Sequence, residues 1–224
     1  MDGSHQDLGA EREAVAGTAR ALAGAGLVKG TSGNLSVRRE DRIAITPTGC
    51  SLADLEASDV CVVDRAGSVV GGTLAPTSEL ALHLGVYDRF GAGAVVHTHA
   101  PMATALACVL DELPCVHYEM LPLGGAIRVA PYRTFGTPEL AEAALDALRD
   151  RNAVLLANHG ALTHGADLAA AVRAMEVLEW AAGIYWHAAQ LGTPRELGPE
   201  ALDAVAHLVD TSGYGTTRPA RAGD

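Results

Sequence analysis

The chain has 224 residues, 49% hydrophobic and 19% charged, which is enough apolar material for the core of one domain, read here as residues 1–224. A net charge of −11 excludes nucleic acid and anionic membrane as general partners, while leaving room for a local anion pocket. The start MDGSHQDLGA has neither a basic nor an apolar leader region, no run is apolar enough to span a bilayer, and Cys50, Cys61, Cys108 and Cys115 form no CxxC pair, so the expected setting is a reducing cytoplasm.

Leu8, Val15 and Leu22 recur at helical spacing and predict a helix over 7–27, punctuated by Gly24, Gly26 and Gly30. A small polar loop, Gly30-Thr31-Ser32-Gly33-Asn34, leads into a strand at 35–38. That strand makes a hairpin with 42–46, which stops at the turn Pro47-Thr48-Gly49. A second hairpin joins 59–64 to 68–71 through Ala66-Gly67. Pro76-Thr77-Ser78-Glu79 opens a helix to about Tyr87, with Thr77 or Ser78 as N-cap. A buried strand at 94–97 follows, then a helix from Pro101 to Val109 with proline in its first turn. Residues 113–135 read as irregular apart from a short strand at 127–129. A helix from Gly136-Thr137-Pro138-Glu139 to about Arg149 precedes a buried strand at 153–156, which ends at Asn158-His159-Gly160. Helices at 167–190 and 199–210 follow, and 211–224 reads as a polar, glycine-rich tail. Strands that both alternate with helices and form hairpins predict a mixed α/β fold with a largely antiparallel sheet.

The chemistry gathers around His97-Thr98-His99. Side chains two apart on a strand share a face, so these imidazoles converge on one point. His159 follows another buried strand and supplies a third. Three neutral imidazoles with an open position suit zinc or another late divalent metal. Glu79 can serve as a ligand or a base, and its helix start favours an anion. Gly33-Asn34, Thr48-Gly49 and Thr77-Ser78 together make a phosphate cradle with few cations. Taken singly, each piece has an ordinary structural reading, as a turn, a cap or a chance histidine pair. Their joint occurrence carries the inference. His83, one turn after Glu79, either lines this site or packs inside its helix. His117-Tyr118 is a further candidate, since a tyrosine near a metal can move a proton at an alkoxide oxygen.

These pieces, with Pro131-Tyr132-Arg133-Thr134-Phe135-Gly136-Thr137, occur in an order that resembles the class II aldolase/adducin-like family, and within it the fuculose-1-phosphate aldolase type, over about residues 10–190. The resemblance implies a three-layer α/β/α sandwich around a largely antiparallel central sheet, and a homotetramer with active sites at subunit interfaces. It implies Zn2+ held by His97, His99 and His159, with Glu79 as resting ligand and as acid/base. Gly33, Asn34, Thr48, Gly49, Thr77 and Ser78 would hold the phosphate of a small sugar phosphate. Tyr118 would enter a neighbouring subunit's site, and Tyr214 is the one candidate for a second tyrosine near the C-terminus. The expected reaction is cleavage of a ketose 1-phosphate to dihydroxyacetone phosphate and an aldehyde such as lactaldehyde. Rivals within the family are a pentulose-5-phosphate 4-epimerase, where aspartate is typical at the position of Glu79, a methylthioribulose-1-phosphate dehydratase, and a deoxyribulose-1-phosphate aldolase. A non-catalytic adducin-like module would lack the metal ligands present here.

Overall fold

A computed structural model of the chain describes residues 8–212. Its elements are α1 (Gly9–Gly24), β1 (Asn34–Arg39), β2 (Arg42–Ile45), β3 (Cys61–Asp64), β4 (Val69–Gly71), α2 (Leu80–Phe90), β5 (Ala94–Thr98), α3 (Pro101–Ala107), β6 (Glu112–Leu113), β7 (Ile127–Ala130), α4 (Pro138–Ala147), β8 (Ala153–Leu156), β9 (Gly160–Gly165), α5 (Leu168–Leu191) and α6 (Pro199–Ser212). Tyr214 lies outside the described residues.

The strands form one nine-stranded sheet in the order β4-β3-β2-β1-β5-β9-β8-β7-β6. Neighbours are antiparallel except β7 and β8, so the sheet is largely antiparallel, as expected. Alternation along the strands sends side chains to two faces, and each face has its own apolar core. Val96 and Ala94 of β5 pack with Val15 and Leu22 of α1, Ala103 of α3 and Met175 and Leu178 of α5. Val95 of the same strand packs on the other face with Leu82 and Val86 of α2 and Leu140 and Leu145 of α4. Helices on both faces of a central sheet make the expected α/β/α sandwich.

Several local expectations are corrected. β9 is not among the expected elements, because Gly160 and Gly165 bracket a segment with one β-branched residue, Thr163. Instead it lies mid-sheet and pairs with both β5 and β8, so non-local ladders override weak local propensity. The stretch 113–135 holds the expected short strand as β7, but also an unexpected 3-10 turn at Tyr118–Leu123, and β6 begins one residue before it. α2 starts at Leu80 with Glu79 itself at the cap position, and neither Thr77 nor Ser78 caps it. The Thr77 hydroxyl accepts from the Glu79 amide at 3.3 Å and its carbonyl accepts from Leu80 N at 3.2 Å, closing a separate turn before the helix. The first helix is also shorter than predicted, and the last extends to Ser212.

Candidate active site

The strand ends of the sheet place the three histidines. His97 is the fourth residue of β5 and faces the α2 and α4 side with Val95, while Thr98 turns to the other face and donates to the Met175 sulfur. His99 follows just past the strand end. His159 sits in the turn of the β8–β9 hairpin, between paired Leu156 and Gly160. The three imidazole centroids lie 4.9–5.1 Å apart, and one nitrogen from each lies within 4.8 Å of the others. This spacing is that of ligands around a common centre.

Two glycines allow the approach. A Cβ on Gly160 would stand 2.4 Å from Thr98 O and 2.9 Å from His99 Cδ2. Gly33 has φ +86, and a Cβ there would lie 2.9 Å from His97 O. The backbones carrying the loops and the histidines close together because neither position has a side chain.

Glu79 enters from the start of α2. Its Oε2 is 3.2 Å from His97 Nε2, and its Oε1 is 3.6 Å from His159 Nε2. Asn34 Nδ2 donates to Oε2 at 2.9 Å. His97 Nδ1 lies 2.9 Å from the carbonyl of Ala161, which can only accept, so Nδ1 carries the proton and the Nε2 lone pair faces the centre. Glu79 Oε1, His97 Nε2 and His159 Nδ1 are buried without hydrogen-bond partners. Buried polar atoms are normally paired. Two of these orphans, Glu79 Oε1 and His97 Nε2, meet at the histidine cluster, and that is the pattern a divalent cation would satisfy.

Electrostatics agree with a ligand set. Burial, aided by His97 and His159, pushes His99 down to about 4. Burial and His97 also depress His159. Both therefore favour the neutral form that binds a metal. Burial acts to raise Glu79, but the neighbouring His97 and the hydrogen bonds it receives hold its carboxyl well below the ordinary carboxylate range.

In front of the cluster lies a cavity of about 400 Å³. All six residues expected to cradle phosphate, Gly33, Asn34, Thr48, Gly49, Thr77 and Ser78, line it together with Glu79, His99 and His159. The Pro47–Pro76 bridge holds two of the loops side by side. Not every expected amide is available there: Thr48 N donates to Ala75 O at 3.0 Å, and the amides of Glu79 and Leu80 are taken by Thr77. The side chain of Asn34 is likewise engaged with Glu79 and, through Oδ1, with His83.

Sequence reasoning missed Tyr132, Arg133 and Phe135, which line the same cavity. Their segment belongs to the matching order, and two aromatics flanking an arginine in a loop were the signal the sequence offered; in the fold Tyr132 is 57% and Phe135 66% exposed. Tyr118 is not among the lining residues. It stands at the start of the 3-10 turn beside His117, whose ring meets Trp180 of α5 edge-on.

A family profile described as Class II Aldolase and Adducin N-terminal domain matches residues 13–186. The chain is 38% identical over 208 residues to the 5-deoxy-D-ribulose 1-phosphate aldolase of Bacillus thuringiensis serovar kurstaki, covering 92% of this chain and 97% of that one. It is 41% identical over 162 residues to the L-fuculose phosphate aldolase of Escherichia coli O6:H1, covering 71% and 75%. Among solved structures, an L-fuculose 1-phosphate aldolase superposes with a TM-score of 0.89 at 38% identity, covering 93% of this chain and all (100%) of that one.

Proposed function

The chain belongs to the class II aldolase and adducin family and is a class II aldolase, a carbon–carbon lyase; from that premise we propose that it reversibly cleaves a ketose 1-phosphate to dihydroxyacetone phosphate and a short aldehyde. The observation that carries this reading is the meeting of three imidazoles and a carboxylate, with orphaned buried atoms, beside a cavity that His99, His159 and Glu79 line together with small polar loops.

His97, His99 and His159 would hold the metal, zinc in our reading, with Glu79 as a fourth ligand before substrate arrives. The metal supplies Lewis-acid stabilisation of the negative charge that develops on the ketose oxygens. The remaining steps fall to side chains of the protein. Thr48, Ser78 and the loop at Gly33 anchor the phosphate and so fix the ketose over the histidines. As the C3–C4 bond breaks, its electron pair moves toward the C2 carbonyl, and the proton on the C4 oxygen must leave. Glu79 delivers a proton to C3, and in the synthetic direction removes it. Tyr118 handles the proton at the aldehyde oxygen from an adjacent copy in a homotetramer. Its position away from its own chain's cavity supports that arrangement. Tyr214 would serve as a second tyrosine. We read the whole chain as one such domain.

For the aldehyde half, the match over nearly full length favours 5-deoxyribulose 1-phosphate, which would release acetaldehyde. Fuculose 1-phosphate, which would release lactaldehyde, is the second reading, favoured by the structural neighbour. The test is to load the purified protein with zinc, supply dihydroxyacetone phosphate with acetaldehyde, lactaldehyde or methylthioacetaldehyde, and identify the products and their configuration by NMR. Condensation fastest with acetaldehyde is expected. Metal-loaded protein that condenses none of the three would overturn the reading.

A further inference from the structure

Behind Glu79 runs a buried chain of side chains that the reaction as described does not use. His83 lies one turn into α2 and is completely buried, at 0% exposure. Its Nε2 is 2.6 Å from Asn34 Oδ1, and its Nδ1 is 2.7 Å from Ser36 Oγ. Ser36 Oγ is in turn 2.6 Å from the hydroxyl of Tyr87, two turns along the same helix. Asn34 and Ser36 are neighbours on one face of β1, so a strand and a helix are stitched together by four side chains.

The donors in this chain can be assigned by elimination. A carboxylate only accepts, so Asn34 presents its NH2 to Glu79 and its carbonyl oxygen to His83. His83 Nε2 must then carry a hydrogen. The ring is wholly buried and its two partners, Asn34 and Ser36, are uncharged, so it is neutral and Nδ1 is an acceptor. Ser36 therefore donates to Nδ1 and accepts from Tyr87, whose phenol burial keeps protonated. Every bond points the same way, from Tyr87 to Ser36, His83, Asn34 and the carboxylate. Reversing any one member leaves two donors or two acceptors face to face in a dry interior.

This chain also makes the carboxylate oxygens unequal. Oε2 is held by Asn34 and sits against His97, while Oε1 is buried without a hydrogen bond. We propose that His83 is a positioning residue: its Nε2–H fixes the amide of Asn34, which pins Glu79 Oε2 and leaves Oε1 as the oxygen that carries the proton to and from the substrate carbon. This rests on the aldolase reading for the identity of that carbon, but not for the direction of the relay.

Two measurements test it. Zinc-loaded protein is incubated with dihydroxyacetone phosphate alone in D2O, and deuterium entry at the hydroxymethyl carbon is followed by NMR. This isolates the proton step from aldehyde chemistry. His83→Leu should slow exchange about 10-fold or more with zinc content unchanged, and His83→Gln, which restores a donor near the Nε2 position, should recover most of it. Should the leucine variant not fold, Ser36→Ala, which removes the group selecting the tautomer, takes its place and should slow exchange in the same direction. Equal rates in the leucine and glutamine variants, or a loss that only follows lost zinc, would overturn the proposal. The second measurement is the histidine tautomer in the metal-free wild type by long-range ¹H–¹⁵N correlation. An Nε2–H tautomer is expected at His83, and Nδ1–H overturns the relay. Wild-type protein that exchanges no deuterium defeats the aldolase reading instead, and the tautomer alone then decides the relay.

Discussion

In the proposed reaction Glu79 combines two demands in one carboxyl group: approaching the metal and carrying a proton. Replacement by glutamine preserves shape and leaves three imidazoles in place. Glu79→Gln is expected to retain metal by elemental analysis while turnover falls by about 10²-fold or more. Full turnover in that variant would remove Glu79 from the proton step. Removing the metal itself with a chelator should abolish cleavage, and added zinc should restore it, since the imidazoles have no other Lewis acid to offer. His83 gives a residue-scale prediction about stability. Its folded value is near 3 against 6.5 for the free side chain. Between those values the unfolded chain takes up a proton that the folded protein refuses, so stability is lost as pH falls below 6.5. The slope contributed is about 1.4 kcal/mol per pH unit in that window. His99 and His159 add to the slope in the same window, so urea unfolding of metal-free protein should be less steep in pH for His83→Gln than for wild type by about the His83 contribution.

The β8–β9 hairpin is the element on which the site most depends. It delivers His159 to the end of β5, and it does so only because Gly160 lets the turn lie against Thr98 and His99. Gly160→Ala would place a methyl in contact with backbone that cannot move without shifting both histidines. A stability loss of about 1–3 kcal/mol is expected, from overpacking. Metal affinity should fall with it, measurable by titration calorimetry. An alanine variant with unchanged affinity would mean that the turn has slack the structure does not show. α3 is held by a different device. Both carboxylate oxygens of Glu179, on α5, accept from Met102 N and Ala103 N at 2.9 and 2.8 Å. Ala100-Pro101 directly follows His99, so these two bonds from a helix of the same layer steady the segment that leaves the candidate metal site.

At the scale of the whole molecule the position of Tyr118 bears on whether two copies share a site. Within one chain the cavity gathers candidate metal ligands and the loops proposed to hold phosphate, while Tyr118 stands elsewhere on the 3-10 turn. If sites are completed between copies, Glu79→Gln and Tyr118→Phe damage different halves of each site. Mixing the two inactive variants under conditions that exchange subunits should restore part of the activity. No recovery, with exchange confirmed by mass spectrometry, would place both residues in one chain's site. Among the described residues no helix is long and apolar enough to cross a membrane.

Much of this site was legible in the sequence because its parts are local. Two histidines two apart on a strand must share a face, and small polar residues after strands must form loops; both follow from backbone geometry within a few residues. The strands and helices that repeat at their own period were equally legible, from β1 to α5. What the sequence could not decide depended on contacts between distant segments. β9 has little strand propensity of its own and exists because β5 and β8 pair with it on both sides. That Tyr132, Arg133 and Phe135 line the cavity depends on the fold bringing their segment beside loops some fifty to a hundred residues earlier in the chain. The sequence alone places His83 either lining the site or packing in its helix, and the tertiary structure makes it neither alone. It lies behind the site, where its ring can only be satisfied by bonding to Asn34 and Ser36 on another element. The sequence by itself determined which chemical groups the protein possesses and which local faces they occupy. Only the tertiary structure decided which of them meet and which way each hydrogen bond runs, because a buried donor has to find its acceptor on whatever element folding brings beside it.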